Sequence, residues 1–363
     1  MAVLQADDYL DLITTTQKNL GRFKWTSIIT TLRKFVFFGE LMNKSGIKVQ
    51  QTGTHAQWNL QVTPVKNAKM TGLFAVEKVN TSDTMTTASV PFRHMFTGWA
   101  TDERAIAMNS GDEQIVDLVK SLETAAMVDF AELVEDQGWN QPIDSADNEH
   151  LMGVPYYLVP DRTEGFNGLN PYGFTAGAGG VSSITYPNHA NWTFSYNDLT
   201  PTDGIRAMRK AAENIDFETA PRAEHPTYNT GDRMGWYTVY AIRAKMEEVQ
   251  ESRNDNLKFD LAPMDNKTTF LGIPVIAVPK LEKLFATTAF VDATYASSGG
   301  FPYDGIYGIN WGVFKIKVLK GEYMNRKGPK NGLEQQGRII QTKMYTTMNL
   351  VCYDRRRCCV GTK

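Results

Sequence analysis

Apolar residues recur at steps of three and four through residues 110–138, SGDEQIVDLVKSLETAAMVDFAELVEDQG. Ile115, Val119, Leu122, Ala126, Phe130 and Leu133 thereby fall on one face of an α-helix. Ser110 followed by Glu113 is a capping-box pattern, Asp112 and Glu113 suit the positive end of the helix dipole, and Gly138 suits a left-handed cap after the last turn. About 25 residues rising 1.5 Å each make a rod of roughly 37 Å, long against the usual ~11–12 residues. The spacing predicts a spine, with these six residues as the stripe on which sheets pack.

Ahead of the spine the period changes to two. In THAQWNLQVT (54–63), Trp58, Leu60 and Val62 alternate with Gln57, Asn59 and Gln61, as in a half-buried strand. Pro64 to Ala68 then turns, and KMTGLFAVEKV (69–79) returns, giving a long hairpin with a five-residue tip. SVPFRHMFTGW adds an extended segment whose Pro91 favours an edge. A two-stranded ribbon is marginal alone in water, so it needs a covering surface. At the N-terminus, Leu4 to Leu20 reads as a helix ended by Gly21, and TSIITTLRKFVFFGELM as part of an arm lying on something else.

Behind the spine, residues 139–200 are rich in Gly, Pro, Asn and Tyr, which predicts loops and short strands, too aromatic to be disordered. Asp203 to Asn214 and Gly235 to Gln250 carry helical spacing, the second through Trp236, Val239, Ile242, Met246 and Val249. LGIPVIAVP (271–279) is a buried strand broken by prolines; WGVFKIKVL (311–319) and KMYTTMNLVCY (343–353) are late strands. The fold class is α+β.

Composition narrows the chemistry. A 363-residue chain that is 42% hydrophobic and 21% charged is long enough for a sizeable core. No apolar run approaches the roughly 20 residues of a membrane helix. Cys352, Cys358 and Cys359 form neither a disulfide framework nor a paired CxxC zinc site, and are expected to be inert reduced thiols. His55, His94, His150, His189 and His225 are scattered, the GAGG at Gly177–Gly180 lacks P-loop and dinucleotide spacing and suits a flexible surface loop, and no GxSxG elbow occurs. No enzyme, cofactor or metal is expected.

Charge is uneven. Residues 315–363 hold twelve Lys/Arg against three Asp/Glu, +9, which leaves −11 for the rest of a chain whose net is −2. Arg355, Arg356 and Arg357 are its sharpest cluster. It suits the phosphates of nucleic acid or the carboxylates of an adjacent copy, and the lack of interleaved aromatics favours the carboxylates.

The order of these parts, an arm, a long hairpin, a spine helix, a mixed domain and returning strands, resembles the major capsid protein of tailed bacteriophages, with the HK97-like fold. LGIPVIAVP resembles that family's late strand-turn segment. YGINWGVFKIKVL (307–319) is similar to its G-[DN]-[FW] strand start, with Gly308, Asn310 and Trp311 and an inserted Ile. GRIIQTKMYTTMNLVCYDRRRCCVG resembles its closing strand pair. The resemblance implies an N-terminal arm at 1–50 and an E-loop with flanking strands at 51–109. It implies a P-domain spine helix at 110–149, an A-domain at 150–309, and P-domain strands with the C-terminus at 310–363. It implies hexamers and pentamers of an icosahedral shell around double-stranded DNA held without sequence specificity, in a virion capsid assembled in the host cytoplasm. Trp58, Leu60, Val62, Lys66 and Lys69 would then be intersubunit contacts of the E-loop, with Lys66 and Lys69 where crosslinking relatives place an isopeptide lysine. Because the chain opens on the arm, a separate scaffolding protein is expected; a decoration protein is a further partner the resemblance allows, and a membrane is not. Two alternatives stand beside it: an encapsulin-type nanocompartment shell, and a carbohydrate-active hydrolase drawing on Asp161, Glu164 and Asp198.

Overall fold

A computed structural model describes residues 34–42, 46–73, 79, 84–104, 112–217, 233–252, 268–286, 305–331 and 339–363. The helix expected over Leu4–Leu20 lies outside these residues, as do the side chains of Ile115 and Val119. In chain order come α1 (Val36–Leu41), β1 (Ile47–Gln50), β2 (His55–Gln61), β3 (Met85–Pro91), β4 (Arg93–Asp102), the spine α2 (Asp112–Gly138) and the short α3 (Val154–Tyr157). Then follow β5 (Gly165–Gly168), β6 (Asn191–Ser195), α4 (Gly204–Ile215), β7 (Met234–Thr238), α5 (Tyr240–Ser252), β8 (Thr269–Phe270), β9 (Ile273–Ala277) and α6 (Pro279–Ala286). The chain closes with β10 (Ile306–Asn310), β11 (Phe314–Leu319), β12 (Asn325–Asn331), β13 (Ile339–Cys352) and β14 (Cys359–Thr362).

Two larger sheets organise these elements. In the first, β13 is central: β11 and then β1 lie on one side, and β12 and β4 also pair with it. The spine covers the face of this sheet that carries Thr97, whose hydroxyl donates to the Ala126 carbonyl at 3.2 Å. Arg326 on β12 reaches the same helix, pairing with Glu123 at 3.1 Å over the Trp99 ring. The second sheet has the order β5-β6-β14-β10-β7-β9-β8. Its central strands read as near-continuous apolar runs because both faces are covered; every residue of β10 is buried.

Four sequence expectations change here. The spine's buried stripe runs through Ala126, Phe130 and Val134, while Leu122 is half-buried and Leu133 is 38% exposed. A step of four from Phe130 reaches Val134, and one residue of error turns a side chain by about 100°. Gly138 is the last helical residue and not a left-handed cap. It is glycine because a Cβ there would stand 2.4 Å from the Phe37 ring. Residues 234–238 form strand β7 and not the start of a helix, since Trp236 and Tyr237 are drawn between β10 and β9. Finally, the C-terminus leaves the first sheet: β14 pairs with β10 and β6 in the second, so 310–363 is shared between the two sheets.

Candidate functional site

The ribbon ahead of the spine is the first candidate surface. β2 pairs antiparallel with β3, Trp58 opposite Ala88 and Leu60 opposite Thr86. The return strand is therefore Met85–Pro91, and no strand occurs among the described residues of 69–79. Both stretches alternate, but only β3 continues through Phe92 into β4 and the first sheet. The stem's apolar face is buried within its own chain: Ala56, Trp58, Ala88 and Val90 are all at most 5% exposed. They pack on the turn at Gly177–Val181, where a Cβ on Gly179 would meet Trp58 at 2.9 Å, and the Gly179 carbonyl accepts from Ser89 N at 2.9 Å. Gly179 adopts φ +65°, a conformation glycine holds without strain. The GAGG turn is thus a packed seat for the stem and not a flexible surface loop.

Trp58 and Val62, expected at a neighbour's surface, lie inside this subunit, and Leu60 is half-buried. The far end of the ribbon is different. Lys66 and Lys69 are exposed, and Met70, Leu73 and Val79 stand 80% or more in solvent. A buried stem thus carries an uncovered apolar tip.

The arginine cluster is corrected more sharply. Residues 355–357 form one 3₁₀ turn, which sends Arg355 and Arg357 inward and leaves Arg356 at the surface. Arg355 is fully buried. Its Nε donates to the Tyr157 carbonyl at 2.6 Å, and Nη1 to Ser183 Oγ at 3.0 Å and the His189 carbonyl at 2.8 Å. Its Nη2 donates to the carbonyls of Gly168 and Leu169, each at 3.0 Å, and to Asn191 Oδ1 at 3.1 Å. All six acceptors are neutral, so loop dipoles take the place of a counter-ion. Burial lowers the Arg355 pKa to about 10, which leaves it charged at neutral pH. Burial first, and then the Arg355 cation, lowers that of His189 to about 3. Arg356 instead forks onto Asp354 at 3.0 and 2.9 Å and lies over the Phe217 ring. A run of three arginines gives no sign of this division, because it depends on where the turn begins.

A second buried ion went unrecognised in the sequence. Glu135, in the last turn of the spine, is fully buried. Its Oε1 accepts from Val36 N at 3.0 Å, Phe37 N at 3.1 Å and Trp139 Nε1 at 2.9 Å, and its Oε2 from Phe38 N at 2.9 Å. Burial pushes its pKa up, against the pull of these donors. Around this joint Lys280 of α6 pairs with Asp136 at 2.7 Å, and Arg233 pairs with Glu40 of α1.

The three carboxylates named for a hydrolase are each engaged with separate partners. Asp161 accepts from Thr163 N, Glu164 pairs with Lys210, and Asp198 accepts from Leu199 N and pairs with Lys245. A cavity of about 380 Å³ lies elsewhere, between α4 and the second sheet; Ala212, Ile215, Met234, Leu271 and Ile273 line it with Glu213, Asp216, Asn310 and Arg357. All three cysteines are buried and free, and burial raises their pKa values, that of Cys358 to about 12. Among the described residues, no cluster of three or more His, Cys, Asp or Glu could hold a metal ion, and no helix is long and apolar enough to cross a membrane.

No protein-family profile matches the sequence, and no curated protein matches it. Solved structures do match in shape over nearly the whole chain. A chain of the cyanophage A-1(L) capsid asymmetric unit aligns with TM-score 0.59 at 15% identity, covering 96% of this chain and 98% of that one. The capsid of a native GTA particle aligns at 0.55 and 9% identity, covering 94% of each. The capsid of the Myoviridae phage XM1 aligns at 0.50 and 10% identity, covering 99% of each. The α+β, HK97-like architecture expected from the resemblance is the fold this chain has.

Proposed function

We propose that the chain is a structural major capsid protein of a tailed bacteriophage, assembling as hexamers and pentamers into an icosahedral shell around double-stranded DNA. The observation that carries this is the end-to-end likeness to capsid subunits, in which neither chain has an unmatched domain-sized remainder. On this reading the arm spans 1–50 and the E-loop with its flanking strands 51–109. The spine spans 110–149, the A-domain 150–309 and the returning strands 310–363, with β14 shared as described. The ribbon tip, carrying Lys66, Lys69, Met70 and Leu73, is the part of the E-loop that meets a neighbour. Its exposed apolar side chains support that role, since such groups in a shell subunit gain by burial between copies. A separate scaffolding protein, a decoration protein and assembly in the host cytoplasm belong to the same proposal. The encapsulin and hydrolase alternatives are not favoured.

The test is expression of the full chain, alone and with the scaffolding protein of the same genome, followed by sedimentation and negative-stain microscopy. Capsomers or closed shells are expected, and particles made during infection should contain double-stranded DNA. A small monodisperse particle under both conditions would overturn the shell. Shells filled with protein cargo and free of DNA would move the assignment to a nanocompartment.

A further inference from the structure

The geometry at Glu135 has a property that ordinary core packing lacks. Its four partners are all N–H donors, an arrangement that suits an ionised carboxyl, which accepts at both oxygens and has no proton to place. It sits in the last turn of a 27-residue helix, where the backbone presents its negative end, and no basic residue occupies that turn. A buried anion in that place needs positive potential from outside the helix. Here it comes from the first amides of α1, the orphan donors of a helix start, and from one indole N–H. No side chain caps α1 from its own N-cap residue, Phe35, so Glu135 takes that role from about a hundred residues away.

From this we infer that Glu135 is a positioning residue: it clamps α1 onto the spine and so fixes where the N-terminal segment joins the body of the subunit. The two helices depend on each other. With α1 displaced, Glu135 would keep only the Trp139 indole N–H at the negative end of its helix; with Glu135 removed, α1 loses its cap. Phe37 completes the joint from the other side, seated on Gly138 and edge-on to Trp311 with ring centroids 6.0 Å apart. Burial outweighs the four hydrogen bonds in setting the carboxyl's pKa; what the carboxyl supplies is direction and register. If the chain is a shell subunit, as proposed above, this joint ties the segment assigned to the arm to the spine through α1.

The experiment is hydrogen exchange on the full-length, unassembled subunit, comparing wild type with Glu135→Gln and Gly138→Ala. The amide keeps the size of the side chain but replaces one acceptor oxygen by a donor. The alanine leaves Glu135 intact and wedges a methyl against Phe37. In both, exchange of the amides of residues 36–38 should rise at least tenfold, while those of β13 and β14 stay as in wild type. Unchanged protection at 36–38 in the two variants overturns the clamp, and so does loss of protection spread evenly over both sheets. Should Glu135→Gln fail to fold, Gly138→Ala alone decides. Exchange is read before assembly, so a clamp that loosens as expected in a chain that never forms shells overturns the shell and leaves the clamp standing.

Discussion

Glu135 and Arg355 are both fully buried ionisable side chains, and each is surrounded by neutral hydrogen-bonding groups instead of a counter-ion. They differ in what they join. Arg355 gathers carbonyls and side chains from residues 157, 168–169, 183, 189 and 191, the ends of α3, β5 and β6 and the turns between them, at one edge of the second sheet. Glu135 gathers three successive amides of one short helix. A cation can join the ends of several elements because their carbonyls arrive from many directions, whereas an anion suits a helix start, where amides already point one way. Loss of the first should therefore be felt by a whole domain, and loss of the second at one joint.

The largest effect expected is that of Arg355→Gln. It leaves several buried acceptors without donors, at about 1–3 kcal/mol each, so destabilisation of about 4 kcal/mol or more should appear as insoluble protein or a large drop in denaturation midpoint. A soluble variant with a wild-type midpoint would erase the contrast with Glu135.

The next concerns His189, which lies against the same site. Its folded pKa of about 3 is below the unfolded value of about 6.5, so the unfolded state binds the proton more readily. Its stabilising contribution is complete above pH 6.5 and is lost as pH falls toward 3, at about 1.4 kcal/mol per unit. Urea denaturation at pH 7, 6 and 5 should show wild type losing more stability with acid than His189→Gln. Parallel pH dependence in the two proteins would mean that the imidazole is not held neutral by burial and the Arg355 cation.

The smallest effect sharpens the comparison within one tripeptide. Arg356→Gln removes the guanidinium fork from the buried Asp354, which keeps the backbone N–H of residue 356, at about 1 kcal/mol. A drop in denaturation midpoint clearly smaller than that of Arg355→Gln is expected one residue from the largest effect in the molecule.

Much of the architecture was legible in local pattern. The spine helix, strand β2, β9 and the late strands follow from periods of 3.6 and 2, and these periods are fixed by backbone geometry before any tertiary contact exists. The order of those parts was enough to indicate the fold. What the pattern left open were choices between locally equivalent solutions. Residues 69–79 and 85–91 could each return the hairpin, and the selection falls to the stretch that leads into β4 while seating Ala88 beside Gly179. Leu133 and Val134 are adjacent, and the packing of the spine on its neighbours buries the second. Trp236 and Tyr237 fit a helix face or a buried strand, and β10 and β9 provide the hydrogen bonds of a strand.

The charged groups show the limit most clearly. From sequence, Arg355 to Arg357 are three equal cations and Glu135 is one of several helix carboxylates. Composition and spacing carry the number and sign of charges, but the cost of burying one depends on how many dipoles point at it. That is set by segments up to 198 residues away in the chain. Local sequence determined the elements and their order; the tertiary structure alone decided which ions lie inside, because only the assembled loops and helix ends supply the partners that make burial affordable.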